Sequence, residues 1–214
     1  MTIQEIDKQI AELTAQREIL KKYYQPSYCG VGYLGEDFDK ETDANLKARW
    51  GNVIHRCYNP KASNYSYYGG DGVTVSENWL NFSNFKKWWQ DNYYDIGDEG
   101  LVIDKDILVP NNKVYDSETC LIVPVSFNSI FAGITKEYKN NTRNLPVGIH
   151  EQDNGHYQIT MFNTSFSNFI SLDEAVQCRT EVYQTLLKHM VKNYPNMPDK
   201  VKDAILNYDF YSTI

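Results

Sequence analysis

The chain is short of several things, and each shortage narrows the field. Of its 214 residues only four are cysteine, Cys29, Cys57, Cys120 and Cys178, and they form no C-x-x-C pair. That spacing argues against a zinc knuckle and against a dense disulfide framework, so reduced and mostly buried thiols are expected. No apolar run approaches the ~18 residues of a membrane span, and Met1 to Lys22 alternates charged with apolar residues, unlike a secretory leader. A cytoplasmic protein with no membrane partner is the expectation. Cations are scarce too: 21 Lys plus Arg stand against 28 Asp plus Glu, a net charge of −7. A uniformly basic coat for nucleic acid is thereby excluded, and any phosphate contact must come from a local cluster. Histidine occurs four times, and none falls between Leu101 and Phe131.

What is present is enough to fold. Hydrophobic residues make up 42% of the chain, which suffices for one large domain or two small ones without covalent staples. The first element is a helix over about Gln4 to Tyr23, in which Ile3, Ile6, Ile10, Leu13 and Leu20 recur at spacings of three and four, interrupted by Arg17. This is a heptad stripe of fewer than three heptads, able to pack on its own domain or to self-associate. Pro26 ends the helix, and Cys29 to Gly35 follows as a glycine-rich turn.

Residues 44 to 57 read as a second helix with Leu46, Trp50, Val53, Ile54 and Cys57 on one face, leaving Lys47, Arg49 and Arg56 toward solvent or a ligand. In the loop from Asn59 to Gly72, Tyr67 and Tyr68 could stack on sugars or splayed bases. Trp79, Phe82, Phe85, Trp88 and Trp89 form an aromatic stripe at helical spacing, the pattern of a core. Leu101 to Ile103 and Leu121 to Val123 are short strands with an Asn111-Asn112 turn between them, and a helix begins after Pro124. Residues 145–150, 156–161 and 165–170 alternate as three strands. Leu172 then opens a long helix to about Lys192, with Ala175, Val176, Val182, Leu186 and Met190 facing the sheet. A short amphipathic helix with Val201, Ala204, Ile205 and Leu206 lies in the C-terminal part, followed by an aromatic tail.

Several motifs sit on this frame: Trp50-x4-His55-Arg56-Cys57-Tyr58, Tyr68-Gly69-Gly70-x-Gly72-Val73, Trp79-x2-Phe82-x2-Phe85-x2-Trp88, Leu101-x-Ile103-Asp104-Lys105-Asp106-Ile107-Leu108, Tyr115-x4-Cys120-x2-Val123-Pro124 and Phe127-Asn128. Together they resemble a family of bacteriophage HNH-type endonucleases whose second half looks like an AP2-type DNA-binding module, over roughly residues 30 to 210. The resemblance implies an α+β fold with three parts: an N-terminal helix (1–25), an HNH-like ββα core with helices (26–143) and an AP2-like three-stranded antiparallel sheet packed on one helix, with a C-terminal helix (144–214). It implies double-stranded DNA as partner, in a host cell cytoplasm if the chain is phage-encoded, and metal-dependent cleavage or nicking, either active or degenerate.

In an HNH site one divalent metal lies between the end of the first strand and the helix, and a base activates water beside it. Asp104, Asp106 and Asn128 supply the oxygen donors that Mg²⁺ or Mn²⁺ would take. The usual histidine is missing: Lys105 stands in its neighbourhood, and His55 is the one histidine within the resembling core. Lys105, protonated at neutral pH, suits a phosphate clamp better than a base. Lys47, Arg49, Arg56, Tyr67, Tyr68, Lys113, Lys136, Lys139 and Arg143 are the candidate DNA contacts. Two departures from the family pattern weaken DNA binding. Asp71 follows the two glycines where the family often has Arg, and the three strands of the second module hold no Lys, Arg or Trp, the side chains that anchor phosphates and read base edges. Residues 144–190 carry two basic and five acidic side chains. An alternative is therefore a non-catalytic acidic protein that inhibits or redirects a host DNA-binding protein by engaging its basic surface.

Overall fold

The computed structural model describes residues 2–136 and 145–210. The fold is α+β. Its elements run α1 (Ile3–Tyr24), α2 (Ala44–Tyr58), β1 (Thr74–Val75), α3 (Glu77–Leu80), α4 (Phe82–Asn92), β2 (Leu101–Asp104), β3 (Val114–Tyr115), β4 (Leu121–Pro124), α5 (Val125–Lys136), β5 (Ile149–Glu151), β6 (Tyr157–Met161), β7 (Thr164–Phe169), α6 (Leu172–Val191) and α7 (Asp199–Leu206). Two short 3-10 turns, Tyr65–Tyr67 and Gly69–Asp71, lie between α2 and β1. Among the described residues, no helix is long and apolar enough to cross a membrane. The chain divides into two compact units: Met1–Tyr93 with Asn111–Thr119, and Tyr94–Pro110 with Cys120–Ile214. The second unit thus holds β2, β4 and α5 together with the three-stranded sheet.

In the first unit the core is aromatic. Trp50, Val53, Ile54 and Cys57 line the buried face of α2, while Leu46 is half-buried. Trp79, Phe82, Phe85, Trp88 and Trp89 are all buried. Trp79 packs on Trp88 with centroids 4.5 Å apart and Trp50 meets Phe82 edge-on at 5.6 Å, arrangements the ring quadrupoles favour. Trp50 Nε1 donates to the Trp79 carbonyl at 2.7 Å, so the indole is buried without losing its hydrogen bond. The stripe from 79 to 89 is not one helix, however. Asn81 breaks it with extended backbone, and its side chain accepts from the Ser83 amide at 3.0 Å, capping α4. Tyr58, at the end of α2, bonds both the amide and the carbonyl of Val75 and so fixes β1. β1 pairs in parallel with β3, a pairing that leaves no periodic signal because each strand has two residues. α1 buries none of its side chains.

In the second unit β2 and β4 pair antiparallel, from Leu101 opposite Pro124 to Asp104 opposite Leu121. All four β4 residues are buried, and α5 and α7 both pack against the strand. Phe127 and Phe131 anchor α5. The other sheet has the order β5-β6-β7, antiparallel throughout. α6 covers it with Ala175, Val176, Tyr183, Leu187 and Val191. This corrects the helix face read from sequence: Val182, Leu186 and Met190 are half-buried. The buried stripe runs 176, 179, 183, 187 instead, because Arg179 and Tyr183 occupy it. In the C-terminal segment Tyr208 and Phe210 are buried. Phe210 stacks on Tyr183 at 5.3 Å, and Phe131 meets Tyr208 at 4.8 Å.

Candidate functional site

Two groups of residues stand out, one in each unit. In the first, α2 carries Lys47, Arg49 and Arg56. Arg56 lies seven positions after Arg49, about two turns, so they share a face, while Lys47 points to another side. Each cation rests on an aromatic ring. Lys47 Nζ is 5.2 Å from the Phe38 centroid and 5.9 Å from Tyr28. The Arg49 guanidinium is 5.2 Å from Trp89, and that of Arg56 is 4.8 Å from both Tyr68 and Tyr115. Such contacts hold a cation in place without neutralising it.

Arg56, Tyr68 and Tyr115 come from three distant stretches, and the local chemistry explains how they meet. A Cβ at Gly69 would run into the Cys57 carbonyl oxygen, so glycine alone lets the Tyr68 loop lie against the end of α2. The β1–β3 pairing brings up Tyr115, and Tyr68 stacks on it at 6.4 Å. Lys113 lies beside them, bonded to Asp71 at 2.7 Å. Asp71 therefore offsets the charge of Lys113, while Arg56 rests on the Tyr68 and Tyr115 rings. Tyr67 is exposed. The Lys136 side chain and all of Lys139 and Arg143 lie outside the described residues.

In the second unit the turn after β2 is built around Asp104. Its Oδ1 accepts the amides of Asp106 at 2.8 Å and Ile107 at 2.7 Å, closing a side-chain-to-backbone turn. Burial pushes the Asp104 carboxyl up. The two amide bonds and Lys105 oppose the shift and Asp106 adds to it, leaving the carboxyl above the usual carboxylate range. Lys105 Nζ holds both oxygens of Asp106, at 2.6 and 2.8 Å.

These donors fit a divalent ion poorly as they stand. One oxygen of Asp104 is taken by amides, its charged form is disfavoured, and an ammonium already sits where a cation would sit on Asp106. Among the described residues no group of three or more His, Cys, Asp or Glu side chains could hold a metal ion. Asn128 is half-buried and three residues into α5, whose start adjoins Leu101 through the bond from the Val125 amide to the Gly100 carbonyl. Asp104 ends β2 about 10 Å from Leu101 along the strand, and α5 packs against both β2 and β4. His55 is exposed on α2, its ring nitrogen 2.5 Å from the Asn59 side-chain amide.

The sequence reading missed two groups. Arg179 is fully buried on α6, its guanidinium 5.2 Å from the Tyr183 ring. Its place in the stripe 176, 179, 183, 187 was the available signal. Near it is Tyr208, whose hydroxyl is pushed up to about 12 by burial first, then by Asp106, Asp104 and Asp209, with Arg179 acting against them. The second group is Glu99, Ser126 and Tyr194. Glu99 accepts the Ser126 amide at 2.7 Å in the first turn of α5, and the Tyr194 hydroxyl donates to its other oxygen. Burial pushes the Glu99 carboxyl up, but the bonds from Tyr194 and Ser126 outweigh it and hold the carboxyl below its ordinary range.

Comparison with protein families, curated proteins and solved structures gave no match.

Proposed function

We propose that the chain is a DNA-binding protein that carries an HNH-like ββα segment, β2-β4-α5, without its cutting chemistry, followed by an AP2-like module formed by β5-β6-β7 and α6. The observation that carries the reading is the gathering of Arg56, Tyr68, Lys113 and Tyr115 from three stretches of sequence. It sets a cation held on aromatic rings near the exposed Tyr67 on the adjoining turn, the pairing that backbone contact and base stacking use. Loss of cleavage is supported by the Asp104 turn. One oxygen of its carboxyl accepts two amides and the group is shifted toward the neutral acid, Asp106 is held by Lys105, and the stretch from Leu101 to Phe131 has no histidine to act as base.

Gel-shift titration of the purified chain with duplex DNA over a range of salt, beside supercoiled plasmid with Mg²⁺ or Mn²⁺, tests both parts. Expected are a shift at low salt that weakens steeply as salt rises, and uncut plasmid. Arg56→Ala should lower the slope of log K against log salt by about 0.9, one phosphate contact. Absence of a shift at the lowest salt sinks the DNA reading. Metal-dependent nicking abolished by Asp104→Ala sinks the loss of cleavage.

A second reading has its own support. Phe162, Phe166 and Ile170, around β7, are exposed apolar side chains on a module with more acidic than basic residues. A basic protein partner would suit that surface, and the function would then be to engage a host DNA-binding protein. That reading prevails if DNA is not bound and a basic protein is retained in a salt-sensitive complex.

A further inference from the structure

We infer that two copies of this chain associate through α1, packed antiparallel. The helix is 22 residues long and opens with a full capping box: Glu5 donates its amide to Thr2 Oγ1 and accepts the Thr2 amide. None of its side chains is buried, and its apolar stripe is open to solvent: Ile3 is 78% exposed, Ile10 57%, Leu13 64% and Leu20 57%. Helices in water owe most of their stability to a packed apolar face, so a long helix with that face bare is missing its other half.

Charge identifies the occupant as a second copy and sets its direction. In the half from Ile3 to Leu13, Glu5, Asp7 and Glu12 outnumber Lys8. In the half from Thr14 to Tyr24, Arg17, Lys21 and Lys22 outnumber Glu18. Each half thus carries an excess of two charges, of opposite sign. A parallel pair would lay like halves together and set Arg17 against Arg17 in the seam. An antiparallel pair lays each acidic half along a basic one. The stripe then closes with Ile3 against Leu20, Ile10 against Leu13, and Arg17 against Ile6 beside Asp7 of the second copy. The contacts within one helix, Lys8 to Glu12 at 3.9 Å and Lys21 to Glu18 at 3.3 Å, lie on its exposed sides and leave this seam free. The inference is independent of whether the chain binds DNA.

Sedimentation equilibrium of the full chain tests it, with far-UV circular dichroism to verify folding. The wild type should sediment at twice its chain mass, and more weakly so at high salt. Ile10→Lys and Leu13→Glu, at exposed positions, should each return the monomer. Mixed together these two variants should regain the dimer mass, because antiparallel pairing sets the ammonium introduced by the first against the carboxylate introduced by the second. A wild type that stays monomeric at every concentration overturns the inference, as does a dimer that both variants leave intact. Monomeric variants that fail to rescue one another overturn the antiparallel arrangement, and a dimer strengthened by salt does the same. Capture of a different protein by a monomeric chain assigns the face to that partner and overturns self-association.

Discussion

The second unit holds two antiparallel sheets with opposite relations to water. In the β2–β4 hairpin every residue of β4 is buried, and α5 and α7 both pack on the strand. In the other sheet every β7 residue but Phe169 is exposed, and Phe169 is half-buried. The sequences account for this. Leu121-Ile122-Val123-Pro124 is a continuous apolar run, as a strand covered on both faces requires, whereas Thr164-Ser165-Phe166-Ser167-Asn168-Phe169 is largely polar and takes an edge. The edge is also irregular: the β6–β7 register shifts between Tyr157 and Ile159, and Asn168 has φ 74°. Such departures discourage further strand pairing. One sheet is therefore structural, and the other offers its outer strand as surface.

Ile122→Ala removes a side chain in the middle of β4 and should cost about 3 kcal/mol in urea denaturation. Gly148→Ala attacks the second sheet where it is close-packed. Gly148 has φ 74°, and an added Cβ would come 2.5 Å from the Thr160 carbonyl oxygen, so a loss of about 2 kcal/mol is expected by the same measurement. The two halves of the polar sheet thus respond differently, strongly near β5 and weakly at β7.

Asp104 sharpens the account of the hairpin. Asp104→Ala leaves the Asp106 and Ile107 amides without their acceptor and should cost about 1–2 kcal/mol. Asp104→Asn keeps an oxygen for them and removes a buried charge, so it should be at least as stable as the wild type at pH 7. The sign follows from linkage. A carboxyl raised in the folded state favours folding fully below its unfolded value and loses that favour as pH rises through the folded one. The advantage of Asn over Asp should therefore shrink as the medium is acidified, which thermal melts across pH will read. Phe166→Ala comes last. At 44% exposure on β7 it should change stability by less than about 0.5 kcal/mol, and a large loss would show that β7 is packed rather than open.

Much of the fold was legible. The heptad of α1, the apolar face of α2 and the long helix from Leu172 announce themselves by period, the strands flanking Asn111 by their short apolar runs, and the second sheet by alternation, although its first strand, expected over 145–150, begins only at Ile149. The two-residue strands β1 and β3 were not legible, since two residues carry no period. The break at Asn81 was hidden because the aromatic spacing continues across it. The α6 face was misread because Arg179 is charged and its burial depends on rings and residues far along the chain. At the candidate site the residue types were legible and their grouping was not.

By itself, the sequence determined where the longer helices and strands form, that the thiols lie too far apart for a C-x-x-C metal knuckle, and that cations are too few to coat the surface. These follow from spacing and composition, which act over a few residues or over the whole chain. Tertiary structure alone decided that Arg56, Tyr68 and Tyr115 meet, that the Asp104 carboxyl is buried, and that α1 keeps its apolar stripe bare within the chain. Those outcomes rest on close approach between distant segments and on burial, which shifts the balance of charge and hydrogen bonding in ways no local pattern records.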